Sequence, residues 1–285
     1  MDPKKLLNWP FEDLAHTYSK RDTMLYALGL GFGADPTDGN ELQYVYEENL
    51  SALPSMAVVL GYPGFWLKHP DTGVNWQKIL HGEQFLEIFE PIPAEGTVKG
   101  RMKVDGIIDK GADKGAIIYS SREIINQAND TLLAKVSMSV FCRGDGGCGS
   151  TMAEAPKPHT LPATAPDKTC EITTLPQAAL IYRLSGDYNP LHADPKVAQS
   201  VGFDRPILHG LATYGVSARA ILKSCCDYDA RKLKALNVRF SAPVYPGETI
   251  RVDIWQNANA NDVSFRASVV ERDVVVLNNG YARLA

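Results

Sequence analysis

The chain has 285 residues, 45% of them hydrophobic and 22% charged, with a formal net charge of −4. That composition suits a globular protein in water and gives no general attraction to nucleic acid, whose recognition calls for a basic face. No segment approaches the roughly 18 unbroken apolar residues that span a bilayer, and the opening MDPKKLLNWPFEDL lacks the apolar core of a signal peptide.

The length suits one large domain or two of about 140 residues. Five cysteines stand at 142, 148, 170, 225 and 226, odd in number and without a C-x-x-C pair. They are expected to be reduced, mostly buried thiols of an intracellular protein, and no metal site is expected. The closing YARLA is no clear peroxisomal address, although Ala-Arg-Leu would come closer without Ala285.

In chain order, the glycine-rich LYALGLGFGADP at 25–36 comes first, followed by ILHGE at 79–83 and FEPIPAEGTVKGRMKV at 89–104. VKGRMKVDGII at 98–108 and LLAKVSMSVFC at 132–142 alternate apolar and polar residues with the period of a strand. Residues 144–167 are rich in Gly, Pro, Ala and Thr without apolar periodicity, which is linker composition. They divide the chain into 1–145, a linker at 146–166 and 167–285.

The second half echoes the first. ILHGL at 207–211 mirrors ILHGE, FSAPVYPGETIRVDI at 240–254 mirrors 89–104, and 263–284 mirrors IIYSSREIINQANDTLLAKVSMSVF at 117–141. Such a repeat is best explained by duplication of one unit. RVDIWQNA at 251–258 and VSFRASVVER at 263–272 read as strands joined by an Asn-rich turn. Apolar residues at 211, 214, 218, 222 and 225 form a helical stripe over 209–225, where Ala212, Gly215 and Ala218 permit close packing. Such a helix is about 25 Å long, enough to lie across a curved antiparallel sheet. The fold class is therefore α+β, a double hot-dog, with the first-half helix reduced or lost because 79–83 runs directly into the strand FLEIFEPIP.

The stretch IYRLSGDYNPLHA at 181–193 bears most on function. Gly186 permits a backbone bend, while Pro190 fixes its own φ and pushes Asn189 towards extended geometry. The turn can thereby aim Asp187 and His192 at one point, where an Asp/His pair could hold and polarise a water. Strings of this kind are also common as plain surface turns, with Asp and Asn capping backbone donors. RPILHGLATYG at 205–215 then opens the helix, and a helix start offers unpaired N–H groups to a developing oxyanion.

YRLSGDYNPLHADP followed by FDRPILHGLATYG resembles the signature of the hydratase 2 family, the R-specific enoyl-CoA hydratases among MaoC-like proteins. The likeness extends over nearly the whole chain and matches the family's two-repeat form. It implies reversible addition of water to trans-2-enoyl-CoA, with no cofactor beyond the CoA thioester substrate. His192 and Asp187 would do the proton work on one water, Asn189 would orient that water or Asp187, and the N–H of Gly210 would meet the thioester oxyanion. His209 reads as a capping or packing residue.

The resemblance further implies that His81, Gly82, Lys110, Tyr188, Pro190, Leu191 and Phe240 border the CoA thioester. Arg239 and Arg251 are weaker candidates for phosphate contacts. Lacking Asp and His counterparts at 25–36, the first half is expected to have lost chemistry and gained a hydrophobic trough for the acyl tail, around residues 52–62. A homodimer is expected, in the cytoplasm of a bacterium or the peroxisome of a eukaryote. A dehydratase acting on acyl carrier protein and a non-catalytic acyl-thioester binding module remain open, the intact Asp187/His192 pair arguing against the latter.

Overall fold

The computed structural model describes residues 1–257 and 261–285. Its strands are β1 (Leu14–Tyr18), β2 (Ile79–Ile88), β3 (Gly96–Asp109), β4 (Ala116–Asn126), β5 (Leu132–Cys142), β6 (Lys168–Thr173), β7 (Leu233–Phe240), β8 (Thr249–Gln256), β9 (Asp262–Val269) and β10 (Val274–Leu284). The helices are α1 (Pro3–Leu7), α2 (Lys20–Gly29), α3 (Gly39–Val45), α4 (Ala178–Tyr182), α5 (Pro195–Ser200) and α6 (Gly210–Cys225). The strand and helix patterns read from the sequence fall on β3, β5, β8, β9 and α6. The Asn-rich turn expected after β8 lies partly at 258–260, outside the described residues.

All strands join one antiparallel sheet in the order β1-β3-β4-β5-β2-β7-β10-β9-β8-β6. The order is a palindrome of two repeats meeting where β2 pairs with β7, in register from Glu83 with Arg239 to Glu87 with Ala235. This is the expected double hot-dog. The pairing corrects one expected correspondence. β2 and β7 are structural equivalents, so His81 and Gly82 sit on a seam strand and ILHGE does not match the helix start ILHGL. The two strings share letters because a strand and a helix entry can carry the same short apolar-plus-glycine pattern.

Helix α6 packs on β6, β7 and β8. It is buried continuously from Ala212 to Leu222, not along one stripe, because the segment between β1 and β2 covers its other side. A Cβ on Gly215 would come within 2.6 Å of Leu30, so glycine is what admits that side chain. Arg219 reaches across to Glu41 on α3 with paired bonds of 2.8 and 2.9 Å. Tyr228, just beyond α6, donates its hydroxyl to Asp38 at 3.0 Å.

The first half has no long helix, as expected, but its hollow is not vacant. A 3-10 turn at Pro54–Val58, buried throughout, packs on β2, β5 and α6. Arg122 of β4 donates to the carbonyl of Val58 at 2.8 Å, fastening the turn to the sheet. The open trough expected around 52–62 is thus corrected: the chain itself fills it, because an uncovered apolar sheet face is costly in water.

Residues 143–167 form no helix or strand, yet they are tied down. Asp109 accepts from the N–H groups of Gly147 and Gly149, and Trp255 donates to the carbonyl of Thr164. All five cysteines are free, with Cys142, Cys170 and Cys226 buried. No described helix is long and apolar enough to cross a membrane.

Candidate functional site

The turn 186–192 follows α4 and a short 3-10 turn, and it is built from local caps. Gly186 takes φ 115°, a left-handed value that glycine adopts without strain. Asp187 accepts the N–H of Asn189 at 3.1 Å, and the Asn189 side-chain oxygen accepts the N–H of Leu191 at 3.1 Å. Pro190 opens a second 3-10 turn that ends on His192. One lone pair of the Asn189 side-chain oxygen is therefore spent on the backbone.

His192 is buried, and its Nδ1 lies 2.9 Å from the carbonyl oxygen of Ile207. A carbonyl only accepts, so Nδ1 carries the proton and Nε2 keeps its lone pair. Burial pushes the His192 pKa below 6.5, opposed by the Ile207 carbonyl and Asp187, with Arg183 adding to the lowering. Asp187 is exposed, and its carboxylate makes no direct hydrogen bond to His192. The two side chains are thus apposed and not bonded to each other. Oxygen and ring nitrogens of Asp187, His192 and His209 lie within 4.8 Å of one another, a span that one water can bridge.

His209 stands where the helix begins. It is 1% exposed, and its ring stacks on that of His192 with centroids 3.8 Å apart and planes at 28°. Its Nε2 donates to the main-chain oxygen of Asp187 at 3.1 Å, while Nδ1 is buried with no partner. Burial, then the charge His192 can carry, holds its pKa down to about 4. Nearly parallel rings offer their in-plane lone pairs side by side, a poor geometry for converging on one metal ion.

Gly210 is the first residue of α6, and His209 O accepts from Ala212 and Thr213, so the N–H of Gly210 has no intrahelical partner. A Cβ there would meet the Phe240 ring at 3.2 Å. Phe240 in turn lies against His81 across the seam, ring centroids 4.7 Å apart. His81 Nε2 is buried without a partner, and burial pushes the pKa of this histidine down to about 4, against a smaller raising effect of Asp187.

The fold therefore brings Asp187, Asn189, His192, Gly210, Phe240 and His81 into one neighbourhood, at the junction of the two repeats. Gly82 follows on β2, where a Cβ would strike Ser139 Oγ at 2.9 Å. Tyr188, Pro190 and Leu191 line the turn, with Tyr188 58% exposed under the guanidinium of Arg183. Lys110 is an exposed residue of the β3–β4 turn and contacts none of these groups; Arg251 pairs with Glu171. A groove of about 350 Å³ lies elsewhere, lined by Phe85, Tyr119, Met152 and Tyr281, and none of the expected site residues borders it. Sequence reading missed Tyr182, which packs on His209 at 5.1 Å, and undervalued His209, whose only signal was its place before Gly210.

Comparison with known proteins locates the chain. Residues 16–144 match the family model described as MFE-2 hydratase 2 N-terminal domain, and residues 158–279 match the MaoC like domain. A probable enoyl-CoA hydratase 2 of Dictyostelium discoideum is 36% identical, covering 99% of this chain and 96% of its own. The mouse peroxisomal multifunctional enzyme type 2 is 38% identical over 94% of this chain, which spans 36% of that larger protein. A crystal structure of a MaoC-like dehydratase from Phytophthora capsici superposes with a TM-score of 0.87 at 38% identity, covering 99% and 98% of the two chains.

Proposed function

The chain belongs to the MaoC-like hydratase 2 family, and on that premise we propose that it is an enzyme adding water reversibly to trans-2-enoyl-CoA to give (3R)-3-hydroxyacyl-CoA. The observation that carries the reading is the buried imidazole of His192, its Nδ1 held by the Ile207 carbonyl so that Nε2 keeps its lone pair, with a ring nitrogen within 4.8 Å of an Asp187 carboxylate oxygen.

In an enoyl thioester the carbonyl draws electrons from the double bond and makes Cβ electrophilic. A water held between Asp187 and His192 attacks Cβ as Nε2 of His192 accepts its proton. Electrons move to the thioester oxygen, where the Gly210 N–H and the positive end of α6 stabilise them. Collapse returns them to Cα, which takes up the proton that Nε2 of His192 received from the water, its delivery assisted by Asp187, so that both groups end as they began. General acid–base groups contribute about 10²–10⁴-fold each. Phe240 and His81 wall the side of the site formed by the seam.

The test follows the ultraviolet absorbance of the conjugated thioester on crotonyl-CoA and a medium-chain enoyl-CoA, then couples product to an S-specific 3-hydroxyacyl-CoA dehydrogenase. Loss of absorbance without NADH formation is expected. No loss, or robust NADH formation, contradicts the reading. The same reading extends to a homodimer in solution, to be measured by light scattering on a sizing column.

A further inference from the structure

His209 is more than the residue before the oxyanion helix. It touches both halves of the proposed acid–base apparatus, through its ring on one and through its Nε2 on the backbone of the other. The bond runs from the start of α6 to Asp187, 22 positions earlier in the chain. Around Asp187 the turn is held by its own caps and by Arg183 donating to the Tyr188 carbonyl, its far end is tied by His192 to Ile207, and Asp187, Tyr188, Asn189 and Pro190 all face solvent. Nothing else described in that turn ties the main chain of Asp187 to a rigid element.

We propose that His209 is a positioning residue, which pins the main chain of Asp187 to the first turn of α6 and so sets the spacing of carboxylate, imidazole and oxyanion donor. Three features support it. A carbonyl acceptor fixes Nε2–H as the donor, which leaves Nδ1 an unsatisfied acceptor sealed from water, a costly arrangement to retain for packing alone. The ring is gripped between Tyr182 at 5.1 Å and His192 at 3.8 Å, so the donor cannot swing away. The charged and titratable groups around it are His192, Asp187 and Arg183, with Tyr182 and, behind that, Tyr26, and burial keeps the ring in its neutral form. A neutral ring also leaves room for His192 to take up a proton during turnover.

This inference rests on the hydratase reading, and its test is separable from it. Wild-type protein without hydration activity would end that reading; the comparison of variants addresses only His209. His209→Gln keeps an N–H donor near the position of Nε2 but removes the ring. His209→Phe keeps an aromatic face on His192 and Tyr182 but has no donor, and His209→Leu keeps neither.

With kcat and KM measured on crotonyl-CoA beside melting curves, the Gln variant is expected to keep kcat within about fivefold of wild type. The Phe and Leu variants should lose about tenfold or more in kcat with KM within about twofold, since misplacing a reacting group slows the step without abolishing binding. A Phe variant that folds and matches Gln overturns the proposal, because the ring and not the bond would then matter. So does a loss confined to KM. If neither donor-less variant melts cooperatively while Gln does, the bond is structural and the proposal fails.

Discussion

The Nδ1 of His192 sits 2.9 Å from the carbonyl oxygen of Ile207, three residues before the start of α6. One hydrogen bond thus chooses the tautomer of the proposed base and ties it to the segment entering the oxyanion helix. A base poised in this way must be neutral to work. Burial, the largest influence on His192, lowers its pKa from 6.5. On the acid side kcat/KM should therefore stay level down to pH 6.5 and fall only below it. A limb with its midpoint above 6.5 would mean that Asp187 outweighs burial.

The same burial has a consequence for stability. His81 and His209 are both held down to about 4, and His192 is lowered as well. Depressed folded values mean that the unfolded chain binds more protons below its own value near 6.5. Stability contributed by the neutral forms is present above pH 6.5 and lost as pH falls towards 4. Melting temperature should decline through that window in wild type and decline less in His81→Phe. Equal slopes in the two proteins would show that His81 is not protected as described.

The two repeats are clamped by Glu41 and Arg219, whose side chains are 1% and 9% exposed. Arg219→Met leaves a buried carboxylate unpaired and should cost about 3–5 kcal/mol in urea unfolding. The double variant Glu41→Leu/Arg219→Met should recover most of that loss. If the double variant is as unstable as the single, the pair is more than a mutually neutralising contact.

Gly215 offers a steric counterpart. Alanine favours helices by about 1 kcal/mol over glycine, so a free helix would gain from the change. Here the new methyl meets both methyl groups of Leu30, a core residue 2% exposed, at 2.6 and 2.7 Å. Gly215→Ala is expected to destabilise by about 1–3 kcal/mol, with partial rescue by Leu30→Ala. A stabilised Gly215→Ala protein would show that the covering segment is loosely docked.

Much of this architecture was legible in the sequence where local pattern decides it. Period-two alternation marked β3, β5, β8 and β9, and the apolar stripe from 211 to 225 marked α6. The turn at 186–192 was legible because Gly186 permits a left-handed bend and Pro190 fixes its own φ whatever surrounds them. What escaped was set by contacts between distant residues. The burial of α6 on all sides depends on Leu30, Glu41 and the 52–62 segment, none of which shows in the helix's own stripe. His81 was matched by its letters to His209 until strand pairing placed it beside Phe240 on the seam. His209 was undervalued because its bond to Asp187 spans 22 positions, beyond the reach of any local pattern.

The most direct test of the shared-water mechanism is a double-mutant cycle on Asp187→Asn and His192→Ala, read as kcat/KM for hydration of crotonyl-CoA. Each single variant should retain less than about a tenth of wild-type activity, with an unchanged melting temperature. The double variant should be no worse than about the weaker single, because either loss disables the same step. A single variant above a tenth of wild type, or two losses that multiply in the double, would contradict one water held between Asp187 and His192.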